Sequence, residues 1–179
     1  DGVAHHHAVE RGLTAGFLGS GGKAGKTKVD AQRLKANAAA SAVDDFDVTL
    51  LNVIGEHEFN QLAQPILEQL AERDTVRSKV DRLAPDHNAF DFYSELNRRS
   101  LVAIEQLLLN VSDIDSATLM TSRLQLLWMK ERAGQYRGAL NGVFGAGETT
   151  AVRQQQILAF WADERHRVDL FLAEAPANF

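Results

Sequence analysis

Hydrophobic residues recur every three or four positions along almost the whole chain, which is the pattern of amphipathic α-helices. The alternating apolar and polar runs that mark half-buried strands are lacking in the sequence. Glycine, proline and short polar residues divide the pattern into segments of helical length. We therefore expect an all-α protein, an antiparallel bundle of about six helices joined by short connections.

The breaks in the pattern set the expected helices. Pro65 is compatible with the third helix only near its first turn, and Thr149 or Thr150 opens the sixth. The six helices cover, in chain order, about residues 3–18, 26–54, 60–83, 88–108, 116–144 and 150–173. On the second helix, the spacing predicts an inward stripe formed by Val29, Leu34, Ala38, Val43, Phe46 and Leu50.

An internal repeat is the most specific feature of the sequence. Residues 10–21 read ERGLTAGFLGSG and residues 136–147 read YRGALNGVFGAG, at an offset of 126 residues. Two copies of a segment predict a bundle with an approximate two-fold axis, since a solenoid needs more repeats. We expect one helical domain over residues 1–179, with repeat halves at about 3–55 and 115–173 joined by helices over about 60–110.

Each copy of the repeat places two glycines on one helix face, beside an arginine. The pairs Gly12 and Gly16, and Gly138 and Gly142, are four residues apart, so each pair leaves a bare face that another helix can approach. Glycine within a helix costs about 1 kcal/mol relative to alanine, so these positions need a reason. The pattern predicts that the two motif helices pack together through these faces.

The repeated arginines suggest an anion site. If the motif helices pack around a two-fold axis, Arg11 and Arg137 converge, and a small anion between them relieves the repulsion of two desolvated cations. Anion binding would then favour the arrangement with both arginines engaged and shift the first and fifth helices. Two plainer interpretations stay open. The arginines could be surface residues paired with Glu10 or Glu131, and the glycines could serve only packing, in a structural or dimerisation module without a ligand.

Composition and motifs argue against several other functions. The net charge of −5 argues against a nucleic-acid partner, and the absence of cysteine excludes disulfides and thiol nucleophiles. Residues 20–27 lack the first glycine and the preceding strand of a phosphate-binding loop, so they predict a turn. The three histidines at 5–7 point about 100° apart on a helix, which disfavours one metal site. We expect no enzyme activity, no cofactor and no metal.

The helical pattern is already under way at Val3, which suggests a piece of a longer protein. We expect flanking transmembrane or signalling segments outside this sequence. A periplasmic location, as the outer part of an inner-membrane receptor, is the favoured interpretation, and a cytoplasmic location is the alternative.

Three blocks of the sequence resemble the nitrate- and nitrite-sensing (NIT) domain family. Residues 7–18 (HAVERGLTAGFL) are similar to its first signature, residues 92–97 (FYSELN) to its middle, and residues 130–140 (KERAGQYRGAL) to its second signature. The blocks occur in the expected order, and the resemblance extends from about residue 5 to residue 172. The sequence departs from the family at Tyr136, where glutamate is usual, and at Gly138, where alanine is more typical.

The resemblance implies an all-helical sensor built as two stacked four-helix bundles that share long helices. It implies a place in a bacterial signal-transduction protein and a homodimer. The family's response to nitrate or nitrite is linked to one arginine in each signature, and these correspond to Arg11 and Arg137. The resemblance therefore names nitrate or nitrite as the anion, while the residues alone predict only a small oxyanion.

Overall fold

Helices account for nearly all of the chain that the structure describes. The structure is a computed structural model, and it describes residues 2–174 without the side chains of residues 43–50 and 174. Eight helices lie in this part: α1 (Gly2–Gly19), α2 (Lys26–Ile54), α3 (Glu56–Leu62), α4 (Gln64–Ala71), α5 (Arg73–Asp81), α6 (Ala89–Leu108), α7 (Ile114–Ala146) and α8 (Ala151–Glu174). The all-α prediction is confirmed.

The third predicted helix is in fact three short ones, which raises the count from six to eight. Pro65 lies in the first turn of α4, because its missing N–H and its ring cannot be accommodated within a continuous helix. The chain therefore breaks at Ala63, between α3 and α4. A second break, at Glu72, separates α4 from α5. The requirement that Pro65 lie near a first turn is met by starting a new helix.

The two ends of α7 and the start of α8 are set by capping residues. Asp113 accepts a hydrogen bond from the backbone N–H of Ser116 at 2.8 Å and so caps the start of α7. Thr150 Oγ1 accepts one from the N–H of Arg153 at 3.2 Å before α8. Gly147 follows the last residue of α7 and caps the helix. Its φ of 73° is in the left-handed region that favours glycine.

The two repeat copies form two helical hairpins. In the first hairpin α2 runs antiparallel to α1, with Gln32 Nε2 donating to His6 O at 2.9 Å. In the second, α8 runs antiparallel to α7, and Arg132 forms an ion pair with Asp163 at 2.5 Å. α1 and α7 lie side by side and run parallel, although 126 residues separate their equivalent positions. α6 packs against both of them and runs antiparallel to both.

Two clusters of buried hydrophobic residues form the core at different levels of the bundle. The first consists of Phe17, Val29, Val76, Val80, Ala89, Phe92 and Tyr93. The second consists of Leu101, Leu124 and Trp128. α6 contributes to both clusters, as expected of a long helix shared between two stacked bundles.

The inward face of α2 differs from the predicted stripe. Its buried positions are Val29, Gln32, Ala36 and Ala40, whereas Leu34 is 72% exposed and Ala38 is also exposed. The apolar-only pattern missed Gln32, which is buried because its amide hydrogen-bonds to α1. The predicted inward side chains of Val43, Phe46 and Leu50 lie outside the described side chains.

Candidate functional site

The glycine faces of α1 and α7 pack directly against each other. A Cβ added to Gly138 would lie 3.4 Å from the Cα of Gly12. A Cβ on Gly19 would overlap the carbonyl oxygen of Gly142, and one on Gly145 would lie 2.6 Å from the carbonyl oxygen of Gly16. The sequence-based prediction that the motif helices approach each other closely is therefore what the structure shows.

The glycines of this contact differ in how much space is available for a Cβ atom. A Cβ on Gly12 or Gly142 would have its nearest neighbours at 3.8 Å and 3.5 Å, which are ordinary van der Waals distances. At Gly16 the obstacle is the side chain of Asn141, whose Nδ2 donates to the carbonyl of Gly12 at 2.7 Å. The closest backbone approach is thus at Gly19 and Gly145. These two glycines are not among the four that were predicted from the sequence to form the contact.

Arg11 is buried and held by residues of α6 and α7. Its Nη1 donates to Glu131 Oε1 at 2.5 Å and to Ser94 Oγ at 3.0 Å, and its Nη2 donates to Glu131 Oε2 at 3.3 Å. Only 1% of Arg11 is exposed. Asn97 Nδ2 donates to Glu131 Oε2 at 2.7 Å, and the ring of Phe90 lies 5.4 Å from the guanidinium carbon. Arg11 therefore has a fixed orientation.

The pairing of Arg11 with Glu131 was one of the alternatives open at the sequence level, as a surface contact. The structure places this ion pair in the interior, because α6 covers the side of α1 and α7 on which it lies. A buried ion pair contributes to stability only when further hydrogen bonds compensate the lost hydration, and Ser94 and Asn97 supply them here. Neither residue was predicted as a partner of the ion pair, although both lie in the FYSELN block.

Arg137 lies on the opposite side of the α1–α7 contact. It is exposed, and its Nε donates to the carbonyl of Ala133 at 3.3 Å. It lines a groove of 440 Å³ between α1 and α7, together with apolar side chains that include Val9 and Phe144. In this structure the guanidinium groups of Arg11 and Arg137 therefore face different spaces.

The direction of the repeat axis explains this placement. The contact of Gly19 with Gly142 and that of Gly145 with Gly16 are equivalent under the repeat, so an approximate two-fold axis relates the two helices. Because α1 and α7 are parallel, the axis runs along them and exchanges the two flanks of their contact. Arg11 and Arg137 then belong to opposite flanks, so the expectation that a two-fold axis makes them converge is not met in this structure. Which of these residues bind a ligand stays a prediction.

A cavity of 330 Å³ lies beside Arg11, between α1, α6, α7 and the turn that leads into α8. We call it the Arg11 cavity, and its walls include Arg11, Thr14, His87, Phe90, Gly138 and Gly142. Two buried polar atoms of these walls, Arg11 Nε and Thr14 Oγ1, have no hydrogen-bond partner among the described residues. Burial lowers the pKa of His87, which favours the neutral form of its imidazole. The cavity thus offers donors to a small acceptor.

A second buried network fixes α1 on its other side. Arg77 donates from Nε and Nη2 to the two carboxylate oxygens of Glu10, at 2.8 and 2.7 Å, and the Tyr93 hydroxyl donates to Glu10 Oε1 at 2.6 Å. Burial and the neighbouring Glu10 raise the pKa of Tyr93. Burial lowers the pKa of His7 to about 4. The glutamate that precedes Arg11 in the motif is therefore a structural residue.

A sequence model described as nitrate and nitrite sensing (NIT) matches residues 2–179. This chain belongs to the NIT family. The NIT domain has the fold of a solved structure titled "Structure of the NasR transcription antiterminator", with a TM-score of 0.88 and 21% sequence identity. The similarity covers 99% of this chain and 48% of that one, so the NIT domain spans about half of the other chain's length. No protein of curated function matches the sequence.

The segment that was considered as a phosphate-binding loop connects two helices of the NIT domain. Of the phosphate-loop-like residues 20–27, residues 20–25 form the turn between α1 and α2, and residues 26–27 begin α2. In this turn Ser20 Oγ donates to the carbonyl of Phe17 at 2.7 Å. Among the side chains that the structure describes, which exclude those of residues 43–50 and 174, acidic residues and histidines form no group of three or more that could hold a metal ion. None of the helices within residues 2–174 is long and apolar enough to cross a bilayer.

Proposed function

We propose that this domain is a non-enzymatic sensor that binds nitrate or nitrite at the contact of α1 and α7, with Arg11 as its central cation. The observation that carries the proposal is the buried Arg11. It lines a cavity with polar and apolar walls, and its Nε–H has no hydrogen-bond partner among the described residues, in a domain of the nitrate- and nitrite-sensing family. Guanidinium is permanently charged and presents directed N–H groups suited to a small oxyanion. Gly138 and Gly142 form the cavity floor, and Gly12 and Gly16 hold α1 against it.

We further propose that binding is coupled to movement, through Arg137. Arg137 lies on the other flank of the helix pair, so a single anion held by both arginines requires α1 and α7 to shift relative to each other. An arrangement with both arginines engaged binds the anion more strongly, and the anion therefore increases its population. α2 and α8 are continuous with these helices through short turns, and they would transmit the shift to flanking segments.

Calorimetric titration with sodium nitrate and sodium nitrite, against sodium chloride at equal ionic strength, tests the binding. Several charge-assisted hydrogen bonds are sufficient for micromolar affinity after the costs of association. We expect heat and an increase in melting temperature with nitrate or nitrite, and a weaker response in Arg137→Gln. Because Arg137 is exposed, this variant should fold normally. The absence of both heat and thermal stabilisation at millimolar nitrate and nitrite would overturn the proposal.

One observation favours a second function, that of a structural or dimerisation module without a ligand. The glycine faces pack against each other within the chain, which explains them without an anion. This alternative predicts that nitrate leaves the melting temperature unchanged and that Arg137→Gln leaves signalling by the intact protein unchanged. The titration described above separates the two functions.

We also propose that residues 1–179 act as one sensor domain, in a homodimeric receptor with the domain in the periplasm. The directions of the helices support this proposal. Because α1 is parallel to α7 and α8 is antiparallel to α7, α1 begins and α8 ends at the same end of the bundle. Membrane segments attached to both would leave from one face. Alkaline phosphatase fused after residue 179 of the intact protein should be active, and an inactive fusion would place the domain in the cytoplasm.

A further inference from the structure

The mouth of the Arg11 cavity is formed by the turn between α7 and α8. Glu148, Thr149, Thr150 and Arg153 line it, and all four are exposed. These residues precede or begin α8, so the N-terminus of α8 faces the same cavity as Arg11 and Thr14. The first N–H groups of a helix carry partial positive charge, which favours an anion nearby. This feature alone does not define a site, and the opposite wall supplies the second observation.

The opposite wall carries two buried polar groups that lack a partner within the described residues. Arg11 is 1% exposed and Thr14 is 2% exposed, and both Arg11 Nε and Thr14 Oγ1 have unused hydrogen-bonding capacity. Buried polar atoms without a partner are costly, and the majority of them are satisfied by protein, water or ligand. Two donors on adjacent turns of one helix fit two oxygens of a planar oxyanion.

The charges at the mouth differ from those in the interior. Arg11 already shares its charge with Glu131, so it brings orientation but little net positive charge to the cavity. Arg153 donates from Nη1 to the neutral amide of Gln156 at 3.0 Å, and this bond leaves its charge uncompensated. Glu148 is the acidic group at the mouth, and its charge offsets part of that of Arg153.

We propose that Arg153 is the second cationic ligand of the anion while Arg137 lies on the other flank. The start of α8 and the cavity walls close on the anion, so that it reaches Arg11 Nε and Thr14 Oγ1 opposite Arg153. The inference rests on the proposed nitrate or nitrite function and adds three things to it: the Arg11 cavity as the site, Thr14 as a donor, and the start of α8 as the element that closes on the anion. Closure of this turn gives α8, the helix that leads out of the domain, a direct contact with the ligand.

The test is calorimetric titration of nitrate into the whole domain and three variants. Arg153→Gln should weaken nitrate binding at least tenfold, as expected for loss of one charge-assisted hydrogen bond. Arg165→Gln is the matched control, because it removes an exposed arginine from the same helix outside the cavity, and its affinity should equal that of the original domain.

Thr14→Val supplies an independent readout. Valine has the shape of threonine, so the variant removes a buried hydroxyl that lacks a partner, and the melting temperature should stay equal or rise while nitrate affinity falls. If the original domain binds nitrate and Arg153→Gln binds it equally well, the inference is overturned and the proposed function stands. If the original domain binds neither nitrate nor nitrite, the proposed function itself fails.

Discussion

The buried ion pair of Arg11 and Glu131 means that any anion at Arg11 competes with a carboxylate of the protein. Glu131→Gln keeps the shape of the side chain but leaves the guanidinium buried without a compensating charge, and we expect a loss of stability of about 3 kcal/mol. Nitrate should then raise the melting temperature more than it does in the original domain. The control is Asp86→Asn in the exposed pair with Lys79, for which we expect little loss of stability. Equal responses to nitrate with and without the substitution would contradict competition at Arg11.

His7 makes the stability depend on pH. It is fully buried, its Nδ1 lies 2.8 Å from the carbonyl of Val3, and burial lowers its pKa to about 4 from 6.5. The unfolded chain therefore binds a proton at higher pH than the folded domain does. The contribution of neutral His7 is complete above pH 6.5 and is lost as the pH falls towards 4, by about 3 kcal/mol.

Urea unfolding at several pH values measures this dependence. The decrease in unfolding free energy between pH 6.5 and pH 4 should be smaller in His7→Gln, which does not titrate in this range. A His7→Gln curve parallel to that of the original domain would show that other groups cause the decrease. Glu10, Arg73 and Arg77 are the charged groups that act on His7, and they are present in both proteins.

At this scale, the sequence singled out Arg11 but did not predict the residues that surround it. Arg11 stood out because its context is repeated, and Glu131 was named only as a carboxylate that could pair with it at the surface. Burial could not be predicted, since it depends on α6 covering one flank of the helix pair. Thr14 gave no signal, because a threonine on a helix face is ordinary until the cavity beside it is known.

Between elements, the decisive contact is the backbone approach of α1 and α7. We expect Gly19→Ala to destabilise the domain by about 1–3 kcal/mol, because its Cβ would overlap the carbonyl oxygen of Gly142 and the helices would have to separate. Gly142→Ala is the matched control: its Cβ has 3.5 Å of room, so it should leave stability unchanged or raise it by up to about 1 kcal/mol. Thermal and urea unfolding of both variants measure the difference, and equal effects would show that the approach at Gly19 is not limiting.

Helix ends were predictable and helix directions were not. Caps such as Asp113 and Gly147 act through local hydrogen bonds and backbone conformation, which the sequence displays directly. The three short helices between residues 56 and 81 depend on Pro65 and on packing against α6. The repeat predicted two equivalent hairpins, but an axis along the helices and one across them give the same sequence pattern. Only the folded chain distinguishes these, and the difference decides where Arg137 lies.

Over the whole molecule, the approximate symmetry is broken by α6, which covers the flank of Arg11 and leaves that of Arg137 open. One equivalent arginine is therefore buried beside a cavity and the other is exposed in a groove. A symmetric pair would respond identically to an anion. An asymmetric pair allows one arginine to hold the ligand and the other to join it only after a movement, and the proposed signal depends on this difference.

That movement can be measured across the domain, because the chain contains no cysteine and spin labels attach only where cysteines are introduced. Lys35 on α2 and His166 on α8 are both exposed, so the double variant Lys35→Cys, His166→Cys should fold normally. We expect saturating nitrate to shift the distance between the labels by about 1–2 Å, the size of helix shifts in other switches. Chloride at equal ionic strength, and nitrate added to the same pair carrying Arg137→Gln, should leave the distance unchanged. An unchanged distance in protein that calorimetry shows to be occupied would contradict the rearrangement and leave the binding proposal intact.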